Sequence, residues 1–299
     1  MLKLDRRNLL TLAAAAVPAS LLNRLVGAAG ANRDIRSRMA FGLVTYQWGN
    51  EWDLPTVIKN CEAAQVFGVE LRTTHAHGVE PTLDQKQRQE VQQRFGASRV
   101  ELVGLGSDER FDNPDPTVLK SAVAKVKEFL RLSHDVGGTG VKVKPNRFHP
   151  GVPKEQTIEQ IGKALNDVAD YGAGYGQQVR LEVHGQCAEL TTIKAIMDFA
   201  DNENAVVCWN SNPQDLAGDG LESNFNLVRH RFGRTCHVHP LDSPEYPYQQ
   251  LLQLLIASEY DGWVMIESGD RPADRQAALA RQAALFTQMV AQAEKNLSA

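Results

Sequence analysis

The sequence predicts a (β/α)8 TIM barrel, an α/β fold built as a single domain, and three observations predict it. Apolar strand-like segments and amphipathic helical segments alternate eight times after residue 40. Four polar residues that end successive strand segments, Glu182, Asn210, His239 and Glu267, are spaced 28, 29 and 28 residues apart, which is the length of one strand, one helix and two loops. No glycine-rich dinucleotide-binding turn follows the first strand, which argues against an open doubly wound sheet.

Each predicted strand is a short apolar segment, and the strands cover residues 41–47, 68–72, 100–105, 140–144, 179–184, 205–209, 236–239 and 263–267. Between them apolar residues recur every three or four positions, as in helices that bury one face. These helices cover residues 54–67, 83–95, 116–133, 154–172, 190–200, 221–231, 248–258 and 273–295. Eight such units match one barrel in number and in size.

The N-terminal segment is of a different kind. Arg6 and Arg7 precede the Ala- and Leu-rich residues 9–22, and an Ala-Gly-Ala sequence follows. A basic start, a short apolar core and small residues at the end are typical of an export signal, although an ordinary N-terminal helix is the alternative. We predict a twin-arginine signal peptide over residues 1–31 and the barrel over residues 32–299. The mature protein is then periplasmic or otherwise exported, with no stable membrane span once the signal is removed.

Composition restricts the class of partner. The chain has 299 residues, of which 42% are hydrophobic and 23% charged, and its net charge is −4. An acidic balance does not favour binding to nucleic acid or to an anionic membrane. The four cysteines follow neither a disulfide framework nor a zinc-binding spacing. A small molecule is therefore the expected partner, and a homo-oligomer stays open.

The four in-phase residues predict a metal site. Parallel strands of a barrel end at one rim, so residues far apart in sequence converge there. The carboxylates of Glu182 and Glu267, the amide oxygen of Asn210 and the imidazole of His239 suit one divalent cation, such as Mn²⁺, Mg²⁺ or Zn²⁺. Strand ends also carry polar residues that bind no ligand, but four in phase on successive units favour the metal site.

Other polar residues near strand ends are candidates for substrate binding. Side chains two positions apart on a strand share one side, so His184 is expected to face the barrel interior with Glu182, and Lys144 with Lys142. The predicted substrate-binding residues are Glu70, His75, Lys142, Lys144, His184, Trp209 and His237. The lysines have the alternative role of neutralising a carboxylate in the interior. The alternatives for the ring side chains are loop polarity and packing in the barrel mouth.

These strand ends resemble a known family. The segments LEVHG from residue 181, WN from residue 209, HVHPLD from residue 237 and IES from residue 266 are similar to the xylose isomerase-like TIM-barrel superfamily. Within it the chain resembles sugar phosphate isomerase/epimerase-type proteins, in an exported, twin-arginine-tagged branch, and the resemblance covers residues 39–295. The resemblance implies metal ligands at Glu182, Asn210, His239 and Glu267. In the H-x-H motif of the family the second histidine is the usual ligand, which favours His239 over His237.

The chain departs from the family pattern at two positions. Asn210 stands where the family carries an aspartate, so the site has one negative charge fewer and weaker metal binding is expected. Pro213 stands where the epimerases carry a second histidine. The second departure distinguishes this chain from the ketose 3-epimerases.

The resemblance implies a metal-dependent sugar isomerase or epimerase. In such enzymes a proton alpha to a carbonyl is abstracted through an enediolate, and Glu182 and Glu267 would be the acid/base pair. Two alternatives use the same metal site: a lyase or hydrolase that cleaves 3-keto-glycosides, and a catalytically silent carbohydrate-binding barrel. An endonuclease of the AP-site type would need a larger cluster of metal ligands and a basic face, so it is not favoured.

Overall fold

The computed structural model describes residues 36–299, and the predicted signal peptide at residues 1–31 lies outside this range. Eight parallel strands form one sheet: β1 (Ala40–Val44), β2 (Gly68–Arg72), β3 (Glu101–Arg110), β4 (Gly140–Lys144), β5 (Gln178–Glu182), β6 (Ala205–Cys208), β7 (Thr235–Val238) and β8 (Trp263–Ile266). The helices are α1 (Leu54–Ala63), α2 (Gln85–Gly96), α3 (Pro116–Asp135), α4 (Lys154–Ala173), α5 (Leu190–Phe199), α6 (Leu221–Val228), α7 (Tyr248–Ala257) and α8 (Arg275–Ser298). Within residues 36–299, none of these helices combines the length and apolar character needed to cross a membrane.

The sheet closes on itself almost completely. Its strand order is β6-β5-β4-β3-β2-β1-β8-β7. The remaining gap, between β6 and β7, is crossed by the isolated parallel bridges Val207–Phe232 and Asn210–His237. There the amide N–H of His237 donates to the carbonyl oxygen of Trp209 at 2.7 Å. The predicted eight-stranded barrel is confirmed.

Aspartates begin four of the helices. Asp53, Asp84, Asp115 and Asp274 each accept a hydrogen bond from a backbone N–H in the first turn, which satisfies a donor that the helix itself cannot pair. Asp84 forms a reciprocal capping box with Gln87, so α2 begins two residues later than predicted. The first helix ends before residue 67 because Gln65 adopts a left-handed φ of 59°.

The third strand is the largest departure from the predicted bounds. It runs to Arg110 rather than to residue 105. Its register against β4 shifts after Gly106, so that Arg110 lies opposite Lys144. Residues 107–110 are polar and have no strand-like pattern, but the Ser107 hydroxyl donates to the Lys142 carbonyl oxygen at 2.7 Å. The neighbouring strand therefore extends β3 past the point where its apolar pattern ends.

Two apolar layers position the site. The large core lies between the sheet and the helices, and a smaller cluster of Val44, Val103, Trp263 and Met265 lies inside the barrel. Gly68 leaves room for this cluster, because a Cβ there would stand 2.3 Å from the Trp263 ring. The next inward-facing positions towards the carboxyl ends of the strands are polar, so the inner cluster is the apolar floor beneath them.

Candidate active site

A cavity of about 440 Å³ opens at the carboxyl ends of the strands. Residues at the ends of seven strands or just after them line it: Tyr46, Arg72, Lys144, Glu182, His184, Asn210, Asn212, His239, Glu267 and Gly269. This is the face at which TIM barrels carry their active sites. The cavity is large enough for a monosaccharide-sized ligand.

Glu182 accepts a hydrogen bond on each of its carboxylate oxygens. It is 1% exposed. One carboxylate oxygen, Oε2, accepts from the Lys142 ammonium at 2.8 Å, and the other, Oε1, accepts from the Asn210 amide nitrogen at 2.9 Å. Lys142 thus neutralises Glu182, which was the alternative role for this lysine. Lys144 points to a different carboxylate, and its Nζ lies 2.7 Å from Oδ1 of Asp108.

His237 joins three carboxylates below the cavity. Its Nδ1 lies 3.1 Å from Oε2 of Glu267 and 3.6 Å from Oε1 of Glu182, and its Nε2 lies 3.4 Å from Oε2 of Glu70. His237, Glu182 and Glu70 are all buried. A buried imidazole among carboxylates holds them in place by charge-assisted hydrogen bonds.

The neighbouring charges decide the ionisation of these groups. Burial would raise the pKa of Glu182, but the Lys142 ammonium and the His237 hydrogen bond hold that pKa well below its usual range. Burial and the Glu182 carboxylate raise the pKa of Glu267, yet His237 and Lys142 leave it below its ordinary value. Burial would lower the pKa of His237, but the Cys208 thiol and the Glu70 carboxylate hold it well above its usual value. Both glutamates are therefore ionised at neutral pH.

The donor atoms fit a divalent cation. One donor atom each from Glu182, His237 and Glu267 lie within 4.8 Å of one another. The buried Oδ1 of Asn210 has no hydrogen-bond partner among residues 36–299. A carboxylate only accepts, so the amide nitrogen must face Glu182 and the amide oxygen is left free to bind a cation. Carboxylates, an imidazole and an amide oxygen suit a small divalent ion.

The two histidines of the H-x-H motif occupy different places. His237 is buried inside the group of three, whereas His239 lies at the cavity wall and is exposed to solvent. Partial desolvation at the cavity wall lowers the pKa of His239, so its imidazole is neutral at pH 7 and able to bind a cation. The prediction that His239 is the ligand stays a prediction, and the structure adds His237 as a second candidate.

The structure brings most of the predicted site residues together. Glu182, Asn210, His239, Glu267, Lys144 and His184 line one cavity. Directly beneath them lie Glu70, Lys142 and His237, which are all buried. Lys142 contacts Glu182, His237 contacts Glu267, and Glu70 contacts His237. Nδ1 of His184 is buried and has no hydrogen-bond partner in the described part of the chain, so it is free for a ligand.

Two predicted substrate-binding residues lie elsewhere. Trp209 is fully buried on the outer side of the barrel wall, where it packs against Phe225 and Phe232. The prediction of a sugar contact is wrong for Trp209, because its neighbour Asn210 faces inward and adjacent strand residues face opposite sides. His75 lies at the rim, where its Nδ1 is 3.1 Å from the Thr45 hydroxyl. Burial and the nearby His77 lower the pKa of His75 to about 4, so its ring is neutral.

Several residues with no predicted role also contribute to the cavity region, among them Asn212 and Gly269. Tyr46 and Arg72 line the cavity, and the Arg72 guanidinium lies 4.6 Å from the centre of the Tyr46 ring. Alternation along β2 could have identified Arg72, because it lies two residues after Glu70. Asp108, the partner of Lys144, could not be found this way, since it lies in the unpredicted extension of β3.

The fold is shared with solved structures, among them two sugar epimerases and a zinc-binding protein. A 3-keto-D-glucoside 4-epimerase from E. coli has a TM-score of 0.71 and 15% identity, over 84% of this chain and 99% of that one. An L-ribulose 3-epimerase has a TM-score of 0.72 and 15% identity, over 87% and 97%. The IolI protein, solved with a bound zinc atom, has a TM-score of 0.70 and 16% identity, over 85% and 99%.

At these identities the likeness is one of fold. No curated protein sequence matches the chain. A family model described as the xylose isomerase-like TIM barrel matches residues 58–289, which is most of the chain. The match includes six of the seven strand ends that line the cavity, all but that of β1. The chain therefore belongs to the xylose isomerase-like TIM-barrel family.

Proposed function

We propose that this protein is a divalent-metal-dependent sugar isomerase or epimerase that moves a proton alpha to a carbonyl. One observation carries the proposal: two ionised, buried carboxylates, Glu182 and Glu267, meet at one imidazole in a cavity of about 440 Å³. The structural neighbours that are sugar epimerases support a carbohydrate as the substrate.

The residues proposed to hold the metal are Glu182, Asn210, His239 and Glu267, with His237 as the competing histidine. The free Oδ1 of Asn210 and the group of three converging donor atoms support this set. A divalent ion at such a site polarises the carbonyl and an adjacent hydroxyl of a bound sugar, which makes the neighbouring C–H bond more acidic.

Glu182 and Glu267 are the proposed acid/base pair. Both carboxylates are ionised, so either one can accept the proton of an acidified C–H bond. The two groups approach the cavity from β5 and from just after β8, and Lys142 and His237 fix their orientation. A proton taken by one carboxylate and returned by the other changes a stereocentre, whereas return to the adjacent carbon gives an isomer.

The remaining cavity groups are proposed to orient the sugar. Lys144, His184 and Asn212 line the cavity with polar atoms, and Nδ1 of His184 has no partner among residues 36–299. Hydrogen bonds from such groups hold a reacting C–H bond against its base. Glu70, Lys142 and His237 are buried under the cavity, so they support the carboxylates and need not touch the sugar.

A lyase or hydrolase acting on 3-keto-glycosides is the second candidate. It would begin with the same C–H deprotonation and then expel the glycosidic substituent. A neighbour whose substrate is a 3-keto-glucoside supports this alternative. The third candidate is a carbohydrate-binding barrel without catalysis. Asn210 stands where the family pattern has a charged aspartate, and this keeps the third candidate open.

Elemental analysis followed by proton exchange separates these functions. The purified protein is analysed for bound metal and then incubated in D₂O with free sugars and with 3-keto sugars. We expect bound metal and incorporation of deuterium alpha to the carbonyl without cleavage. Release of the glycosidic substituent would instead identify a lyase or hydrolase. Binding of sugars with no exchange would contradict catalysis of this kind.

We also propose that the protein is exported through the twin-arginine route, with Arg6 and Arg7 as the recognised pair. This route carries folded proteins, which suits an enzyme that takes up its metal before export. Replacing both residues by lysine should leave the protein uncleaved in the cytoplasm, as seen by fractionation and mass spectrometry. Export of the double variant at the wild-type level would contradict the proposal.

A further inference from the structure

One wall of the cavity carries an excess of positive charge. Three cationic groups surround the Asp108 carboxylate: Lys144 at 2.7 Å, Arg110 at 3.2 Å and Arg72 at 3.7 Å. One carboxylate cannot neutralise three cations, so the group keeps two positive charges. The Asp108 side chain is 49% exposed, and solvent screening weakens its hold on its partners further.

Nearby acidic residues do not compensate this charge. On the same side of the barrel, Glu109 pairs with Lys125 at 3.4 Å, and Asp112 lies 3.8 Å from the Arg147 guanidinium. On the opposite side of the cavity, Glu182 is paired with Lys142 and Glu267 with His237. Glu70 and Glu267 share the imidazole of His237. None of these carboxylates forms an ion pair with Arg72, Arg110 or Lys144 in the described part of the chain, so the surplus around Asp108 remains.

Arg72 has free hydrogen-bond donors that face the cavity. In the described part of the chain its guanidinium donates no hydrogen bond at normal length, and its contacts are the 3.7 Å approach to Asp108 and the Tyr46 ring. The Arg72 side chain is 19% exposed. The Arg72 guanidinium carbon lies over the Tyr46 ring, 4.6 Å from its centre. A planar guanidinium offers N–H groups that suit two parallel hydrogen bonds to a carboxylate.

The arrangement of the two cavities shows which side of the ion cluster is free. Arg72 and Lys144 line the barrel-mouth cavity, whereas Asp108 and Arg110 line a separate cavity of about 470 Å³ between the β3 and β4 ends. Asp108 therefore approaches the two cations from behind, and their other sides are open to a ligand in the barrel mouth.

We propose that Arg72 and Lys144 form a carboxylate-binding subsite, and that the substrate is a sugar acid rather than a neutral sugar. That the bound acid is a substrate rests on the proposed function, whereas its binding to the subsite does not. A carboxylate is the group that these cations already contact, since Oδ1 of Asp108 lies 2.7 Å from Lys144 and 3.7 Å from Arg72. A phosphate is the alternative that the experiment tests. The subsite lies in the same cavity as Glu182 and Glu267, so a sugar bound by its acid group would reach both carboxylates.

Binding of matched sugar pairs tests the subsite. Calorimetric titration of the metal-loaded protein with D-galacturonate and D-galactose, and with D-glucuronate and D-glucose, measures the preference for the acid. D-glucose 6-phosphate is the phosphate probe. We expect each acid to bind at least tenfold more tightly than its neutral partner, with the difference shrinking as salt is added. Equal binding of acid and neutral sugar, no binding of either acid, or preference for the phosphate would overturn the proposal.

Variants separate ligand binding from a structural role of the ion cluster. Arg72→Gln and Lys144→Gln should each reduce the acid preference about tenfold, while Lys120→Gln, which changes an exposed cation on α3, should leave it unchanged. Asp108→Asn removes the competing carboxylate and should tighten acid binding about threefold or more. If the cluster only supports the fold, Asp108→Asn would weaken binding or stability instead, and that result would contradict the subsite.

Exchange of the C–H proton is measured separately on the same sugars. Acid preference without any deuterium incorporation would leave the subsite standing and contradict the isomerase proposal. Incorporation with neutral sugars but no preference for acids would support the isomerase proposal and contradict the subsite.

Discussion

Two residues of β5, Arg180 and Glu182, are two positions apart and both face the barrel interior, but their surroundings are very different. Arg180 is fully buried and donates to neutral groups: the Val103 carbonyl at 3.2 Å, the Thr139 hydroxyl at 2.7 Å and the Gln178 side-chain oxygen at 3.2 Å. Glu182 instead meets charged groups and borders a cavity.

The difference distinguishes a structural layer from a reactive one. Around Arg180 the space is closed, since a Cβ at Gly104 would stand 2.6 Å from its guanidinium nitrogen. In the layer of Glu182 and just above it, Oε1 of Glu70, Oδ1 of Asn210 and Nδ1 of His184 are buried without a partner among residues 36–299. Buried polar atoms are nearly always paired in proteins. These three unpaired atoms therefore indicate that a ligand binds at this end of the barrel.

The largest expected effect is on turnover. Glu182→Gln and Glu267→Gln should each lower the rate of C–H exchange by about 10²–10⁴-fold, the usual contribution of a positioned acid/base group. A glutamine can still bind a metal, so metal content is measured in parallel. Glu189→Gln, at an exposed glutamate beyond the same strand, is the control. Near-wild-type rates in both variants with metal bound would place the base elsewhere, with His184, Lys142 and Lys144 as the next candidates.

Arg180→Met should affect stability and leave the chemistry intact. It removes three hydrogen bonds from a buried charged group, so we expect the free energy of unfolding to fall by about 3 kcal/mol. Urea unfolding measures this loss, with Arg234→Met as an exposed control. Loss of metal or of exchange activity in a folded Arg180→Met protein would show that the lower layer also belongs to the site.

Metal content distinguishes the two histidines. His239→Ala should remove most of the bound metal, and His237→Ala should weaken metal binding less, because the resemblance favours the second histidine of the motif as ligand. Competition with a chelator, followed by elemental analysis, gives the affinities. The reverse order would assign the ligand to His237 in its group with Glu182 and Glu267. Equal loss from both variants would count against a site with a single histidine.

Asn210→Asp gives the smallest expected change. A carboxylate next to the cation adds a negative charge, so metal affinity should rise, by about tenfold if the added interaction is worth roughly 1.4 kcal/mol. The same change also replaces the amide donor to Glu182 with a second acceptor, so without metal the variant should unfold more easily than wild type. Weaker metal binding by Asn210→Asp would show that residue 210 is not a ligand.

Local patterns were sufficient for much of the site. Alternation along a strand pairs Glu182 with His184 and Lys142 with Lys144, and all four lie at the cavity or directly beneath it. The same rule separates Trp209 from Asn210, and applying it to both would have excluded Trp209. The ion pair between Lys142 and Glu182 was foreseen only as one of two roles, because the pattern gives the side of the strand but not the partner across the barrel.

The order of the eight strands, the barrel and the inward faces of β4 and β5 were determined by the sequence alone, because they depend on apolar periodicity and spacing, which are local. Tertiary structure decided what depends on register between strands. The shift after Gly106 carries β3 on to Arg110 and brings Asp108 to Lys144, 36 residues away. It likewise decided that His237 is enclosed by carboxylates while His239 faces the cavity, since residues two apart on one strand share a side but lie at different depths in the barrel.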